Sequence, residues 1–76
     1  MKPYNGHRSW NAWNVALWLD NDETLYRRAC ELGHKLGAAR AARILSRELD
    51  RTTPDGAVYN QLSLRLAIAG LIEESQ

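Results

Sequence analysis

With 76 residues, 45% of them hydrophobic, and a formal charge of +1, the chain has room for one domain around one core. A single cysteine excludes an internal disulfide and a cysteine-rich zinc site. No run approaches the ~18 apolar residues of a membrane span, and MKPYNGHRSWN lacks the apolar stretch of a secretion signal, so a cytoplasmic protein is expected. The near-neutral balance is unevenly laid out. Residues 27–51 hold seven Lys or Arg against three acids, and the rest of the chain three against six, which gives a basic middle between acidic ends.

In chain order, residues 1–8 read as an irregular lead-in with a turn signal at Asn5-Gly6. Residues 9–76 read as a single helical domain. Ser9 is a good N-cap for a first helix over 10–20. That helix holds all three tryptophans, Trp10, Trp13 and Trp18, within nine residues. At about 100° per residue Trp10, Trp13 and Leu17 form one stripe, and Val15, Trp18 and Leu19 another nearly opposite. A helix apolar on two sides is expected to be buried on two sides. This one is therefore expected at the centre of the fold, with Trp13 and Trp18 in the core. A buried Trp removes roughly 150–250 Å² from water, or about 4–6 kcal/mol at ~25 cal/mol/Å².

Asn21 and Asp22 cap a second helix over 23–35, with Leu25, Ala29, Leu32 and Leu36 on its inner side. Gly33 permits close helix approach, and Gly37 ends the helix or turns the chain. A third helix is expected over 38–51, with Ala38, Ala42, Leu45 and Leu49 inward. A fourth, over 54–69, opens at Thr53-Pro54-Asp55 with proline in its first position. Val58, Tyr59, Leu62 and Leu66 form one side of it, and Leu64, Ile68 and Leu71 another. If the first side packs, the second is left as an exposed strip suited to a symmetric dimer. The chain is thus a monomer or a homodimer. Gly70 allows a bend before a short C-terminal turn. The whole is an all-α, compact single domain of four main helices.

The segment Tyr4-Asn5-Gly6, Trp10-x-x-Trp13-Asn14-Val15-Ala16-Leu17-Trp18, Asn21-Asp22-Glu23 and Leu25-Tyr26 resembles a group of short uncharacterised proteins of phages and mobile elements. These open with YNG, a tryptophan pair and a WNVALW-DND-LY run. The likeness covers residues 4–28. It implies an accessory protein of a virus or mobile element, and it carries over no activity and no catalytic residue.

The residues themselves do not point to an enzyme. Cys30 and His34 share a helix face, but the ordinary reading is a small buried cysteine beside a surface histidine. Asp20, Asp22 and Glu23 read as helix caps. There is no glycine-rich phosphate loop, and no cofactor or metal is implied. The third helix carries the stronger signal. Arg40, Arg43, Arg47 and Arg51 fall within about 80° of one helix face, opposite Ala42, Leu45 and Leu49, and Arg27 and Arg28 extend the patch. Arginine gives planar, bidentate recognition of carboxylate or phosphate. The expected function is that of a small binding protein that occupies a host or defence protein with an acidic surface and blocks it. The alternative is a nucleic-acid-binding module using the same face.

Overall fold

The computed structural model describes residues 9–74. It contains four helices: α1 (Trp10–Asn21), α2 (Glu23–Leu36), α3 (Ala38–Glu48) and α4 (Gln61–Glu74). The protein is an all-α single domain, as the periodicity requires. The Asn5-Gly6 turn lies outside the described residues.

Two corners of one residue each set the path of the first three helices. Asp22 ends α1 and begins α2: its N–H donates to the Trp18 carbonyl (3.1 Å), and its Oδ1 accepts from the Leu25 N–H (3.1 Å). Gly37 does the same between α2 and α3, donating to the Gly33 carbonyl (2.9 Å) and accepting from the Ala41 N–H (3.0 Å). Its φ of 88° is a conformation that glycine adopts without steric cost. Ser9 caps α1 by accepting from the Ala12 N–H (3.1 Å).

The core is built from Val15 and Leu19 of α1, Leu25, Ala29 and Leu32 of α2, Ala41, Ala42 and Leu45 of α3, and Leu64, Ala67, Ile68 and Leu71 of α4. The central element is α4 and not the tryptophan helix. Like α2 it packs on all three others, and more extensively, whereas α1 packs on α2 and α4 and does not reach α3. The tryptophans accordingly sit at the margins. Trp13 and Trp18 are half-buried and Trp10 is exposed, so the inward stripe of α1 is carried by Ala12, Val15 and Leu19. The side of α4 that faces the core is also the reverse of the expected one. Leu64, Ile68 and Leu71 are buried, while Val58 and Leu62 are 49% and 48% exposed. This removes the strip on which the homodimer expectation rested.

The connection between α3 and α4 departs most from the sequence expectation. Helix α3 stops at Glu48, and Leu49 is already extended. The two threonines that follow are poor helix formers, and Pro54 biases the residue before it away from the helical region. Thr53-Pro54-Asp55-Gly56 then forms a turn and not a helix start. The Gly56 N–H donates to the Thr53 carbonyl (2.9 Å), proline occupies the second turn position, and Gly56 has a φ of 96°. Thr52 and Val58 face each other in a single antiparallel bridge. Asn60 caps α4 instead, its Oδ1 accepting from the Ser63 N–H (2.8 Å). From there α4 continues through Gly70 to Glu74 without a separate terminal turn.

One polar face of α1 holds this hairpin. Asn11 pairs with both backbone groups of Val58, accepting from its N–H (2.7 Å) and donating to its carbonyl (2.9 Å), and also donates to Ser63 Oγ (2.8 Å). Asn14, which is 1% exposed, accepts from Thr53 Oγ1 (2.6 Å) and donates to Asp55 Oδ2 (2.9 Å). Trp18 Nε1 donates to the same Asp55 oxygen (3.0 Å). Residues 11, 14 and 18 lie within about 60° of one another around the helix, so three side chains of one face grip one loop. No described buried side-chain N or O lacks a partner.

Two tests follow from this packing. A Cβ on Gly33 would meet Ile68 Cγ2 at 2.7 Å and Ile72 Cδ1 at 2.9 Å, whereas one on Gly70 would meet nothing within 4 Å. Thermal melts should therefore separate two chemically identical changes. Gly70→Ala should stabilise by about 0.5–1 kcal/mol through helix propensity. In Gly33→Ala the same gain is opposed by overpacking of ~1–3 kcal/mol, and the variant should melt below the parent. Asn14→Ala should cost about 1–3 kcal/mol because it strands the buried Thr53 hydroxyl. In a double-mutant cycle with Thr53→Val it should show a coupling of about 0.5–3 kcal/mol. Strict additivity would mean that the Asn14–Thr53 contact is energetically idle.

Candidate interaction surface

Helix α3 presents Arg40, Arg43 and Arg47 to solvent, on the side away from Ala41, Ala42 and Leu45. The three span about 60° of the helix. The expected fourth member, Arg51, lies beyond the end of α3. It is exposed in the hairpin, where its carbonyl accepts from the Tyr59 N–H (3.0 Å). The row of four on one helix is thus a row of three with an outlying arginine.

Arg27 and Arg28 do not extend that row as unpaired charges. Arg27 Nη2 donates to Glu23 Oε1 at 2.6 Å, one turn back on α2. Arg28 grips Glu48 with two donors, Nε to Oε1 at 3.2 Å and Nη2 to Oε2 at 2.7 Å, and reaches Glu31 at 3.3 Å. This fork ties α2 to the end of α3. It holds the Glu48 carboxyl below its usual pKa, chiefly through the Arg28 hydrogen bond, and raises Arg28 in turn. Glu48 is therefore engaged by Arg28 and is not a counterion for the α3 row.

A residue not expected from the sequence joins the row instead. Arg65 of α4 and Arg43 of α3 line one groove of about 320 Å³, with Ala39, Gln61 and Leu62. Among the described residues Arg40, Arg43, Arg47, Arg51 and Arg65 make no ion pair. Two arginines from different helices thus line one depression with a half-exposed leucine. The signal was present in the sequence. Arg65 is the only base in LSLRLAIAGL, three residues from Leu62 and so on the same face. Sequence reasoning had turned that face inward.

The remaining acids have local roles or lie apart from the row. Asp55 is fixed by Asn14 and Trp18, and these two hydrogen bonds, Asn14 first, lower its pKa. Asp22 caps α2. Cys30 is half-buried on α2. No group of three or more His, Cys, Asp or Glu among the described residues is placed to hold a metal ion, and no described helix is long and apolar enough to cross a membrane.

Fold and surface together define a small all-helical domain with an arginine-lined face on α3 and α4. Over residues 1–76 the sequence matches the model of a family of unknown function, DUF7249, and the chain belongs to that family. Neither a curated protein nor a solved structure was found to match it.

The lowered pKa of Asp55 sets the sign of an acid response. Its contribution is complete above the unfolded carboxyl value of about 3.9, and it is lost as pH falls through the lower folded value. Melts recorded from about pH 7 to about pH 3 should show the parent losing stability with acid. Asp55→Asn should start lower at neutral pH and fall less steeply, the residual slope coming from Glu48. Parallel curves for parent and variant would remove Asp55 from the acid response.

Proposed function

We propose that this chain is a non-enzymatic binding protein that docks on the acidic surface of another protein through the exposed arginines of α3 and the Arg43–Arg65 groove. The observation that carries this reading is the convergence of Arg43 and Arg65 from two helices on one groove around Leu62, with Arg40 and Arg47 beside them and none ion-paired among the described residues. Unpaired neighbouring cations repel one another, and an incoming carboxylate relieves that repulsion. Arginine adds bidentate geometry. The apolar component favours protein over nucleic acid: Leu62 in the groove, and Val58 in the preceding hairpin, are each about half exposed. Exposed apolar anchors framed by arginine are usual at the centres of protein interfaces.

The resemblance of the opening motif to short phage and mobile-element proteins supports a biological setting. In that setting the domain acts in the host cytoplasm, occupying a host or defence protein and blocking it without turnover. A nucleic-acid-binding module on the same face is the competing outcome, and salt separates the two. Binding carried by phosphate neutralisation falls steeply as salt rises.

The test is charge reversal. Arg43→Glu with Arg65→Glu should change stability by less than ~0.5 kcal/mol, as surface substitutions do. It should abolish capture of the partner from host lysate, because like charges at an interface cost several kcal/mol. Capture that survives nuclease treatment, with a shallow salt dependence, supports the protein partner. Loss of capture on nuclease treatment, with a steep salt slope, supports nucleic acid. A doubly reversed protein that captures the same partner equally well rejects this face as the site.

A further inference from the structure

A second depression, about 900 Å³ in volume, lies on the other flank of α3, where the start of α2, the end of α3 and the hairpin meet. Glu48 on its wall and Arg43 in the arginine groove stand about 140° apart around α3, so the two sites do not overlap. The volume falls in the range of ligand clefts.

Its lining has three layers. Half-buried Leu49 and the edge of Leu25 make an apolar floor over the fully buried Leu45. The half-buried rings of Trp18 and Tyr59 stand above it. The exposed carboxylates of Asp22 and Asp50 form the rim. Both acids line the same cleft as Tyr59. After burial itself, their charges are what raise the Tyr59 hydroxyl. Trp18 has its indole N–H committed to Asp55 (3.0 Å), which holds the ring in the cleft wall. The remaining lining acid, Glu48, is neutralised by Arg28 (2.7 Å). Arg51 is the single unpaired base of the lining, so the acids left without an ion pair outnumber it.

We propose that this cleft takes a basic side chain, lysine or arginine, presented by a peptide segment of a partner protein. The aliphatic stem lies along Leu49 and the exposed edge of Leu25, and the cationic end lies at the rim that carries Asp22 and Asp50, beside the rings of Trp18 and Tyr59. Long basic side chains bury their methylenes on apolar surface while keeping the charge at a polar edge. A cation near the faces of Trp and Tyr gains from the ring quadrupoles. An anionic side chain would meet two carboxylates. A purely apolar one would cover them without supplying a counterion, which costs desolvation. A basic side chain matches floor, rings and rim together.

The test uses the intact chain and three tripeptides: acetyl-leucyl-lysyl-leucinamide, its norleucyl analogue and its glutamyl analogue, titrated to millimolar concentration by amide NMR. The lysyl peptide should shift the Trp18 indole N–H and the Thr24, Leu49 and Asp50 amides in a saturable way. It should bind at least about fivefold more tightly than the norleucyl peptide, and the glutamyl peptide should bind least. Asp22→Asn with Asp50→Asn removes both charges yet keeps a capping oxygen at residue 22, since asparagine is as good an N-cap as aspartate. That variant should fold and should lose the lysyl preference. Equal binding of lysyl and norleucyl peptides, tighter glutamyl binding, absence of saturable shifts, or an unchanged preference in the double variant would each overturn the proposal. Charge reversal at Arg43 and Arg65 should leave these titrations unchanged, so failure here and failure of the arginine face are distinguishable.

Discussion

The contact on which the rest of the structure depends is the grip of α1 on the hairpin between α3 and α4. A twelve-residue connection, Leu49–Asn60, carries backbone groups that no helix satisfies, and unpaired buried groups of that kind are costly. Asn11 takes the place of a neighbouring strand for Val58, and Asn14 supplies a donor and an acceptor at the turn. These bonds bring Ala57 into the core with no exposed surface and deliver Asn60 to the point where it caps α4. Since α4 touches all three other helices, a loop held by two asparagines and a tryptophan determines where the central helix begins.

This accounts for two asparagines within a helix. Asparagine is a poor helix former because its side chain competes for backbone groups. Here the competition is directed outward, to the backbone and side chains of a different segment. The cost in propensity is offset by several hydrogen bonds, two of them to a largely buried site. The tryptophans around them have a related role. Half-buried Trp18 joins its N–H to the same carboxylate that Asn14 holds (3.0 and 2.9 Å).

Much of the architecture was legible from local signals. Ser9, Asp22 and Gly37 cap or turn the chain as their types dictate, and the apolar spacings of α2 and α3 name their buried sides. What was not legible needed tertiary information. Thr53-Pro54-Asp55 can open a helix or form a turn. Asp55-Gly56 favours the turn, but a partner for Asp55 on α1, 41 residues away, decides it. Placing the helix start at residue 54 joined Val58 to Leu62 and Leu66 as one stripe and turned α4 over. That single choice hid Leu62 and Arg65 from the surface and led to the wrong apolar strip being left exposed. The α3 arginines were legible because their face is set by the alanines opposite them. The pairing of Arg28 with Glu48, 20 residues apart, was not, since it depends on how α2 and α3 cross.

The same hairpin also organises what the surface can offer. Thr52, Thr53, Pro54 and Tyr59 form one wall of the larger cleft, and the Asn60 cap starts the turn of α4 that carries Leu62 and Arg65 to the arginine groove. Both depressions therefore take their shape from a loop fixed by side chains of α1, and α3 separates them as a ridge. The charges are sorted to match. Arg28 neutralises Glu48 on the cleft side, which leaves Asp22 and Asp50 to set that rim, while Arg40, Arg43, Arg47 and Arg65 face the groove side without acids of their own among the described residues. A chain of net charge +1 thus presents an acid-rimmed aromatic cleft on one flank of α3 and a cationic groove on the other. Net charge conceals this division because acids outside both surfaces, Asp20, Glu23 and Glu73 among them, offset the arginines of the groove in the sum.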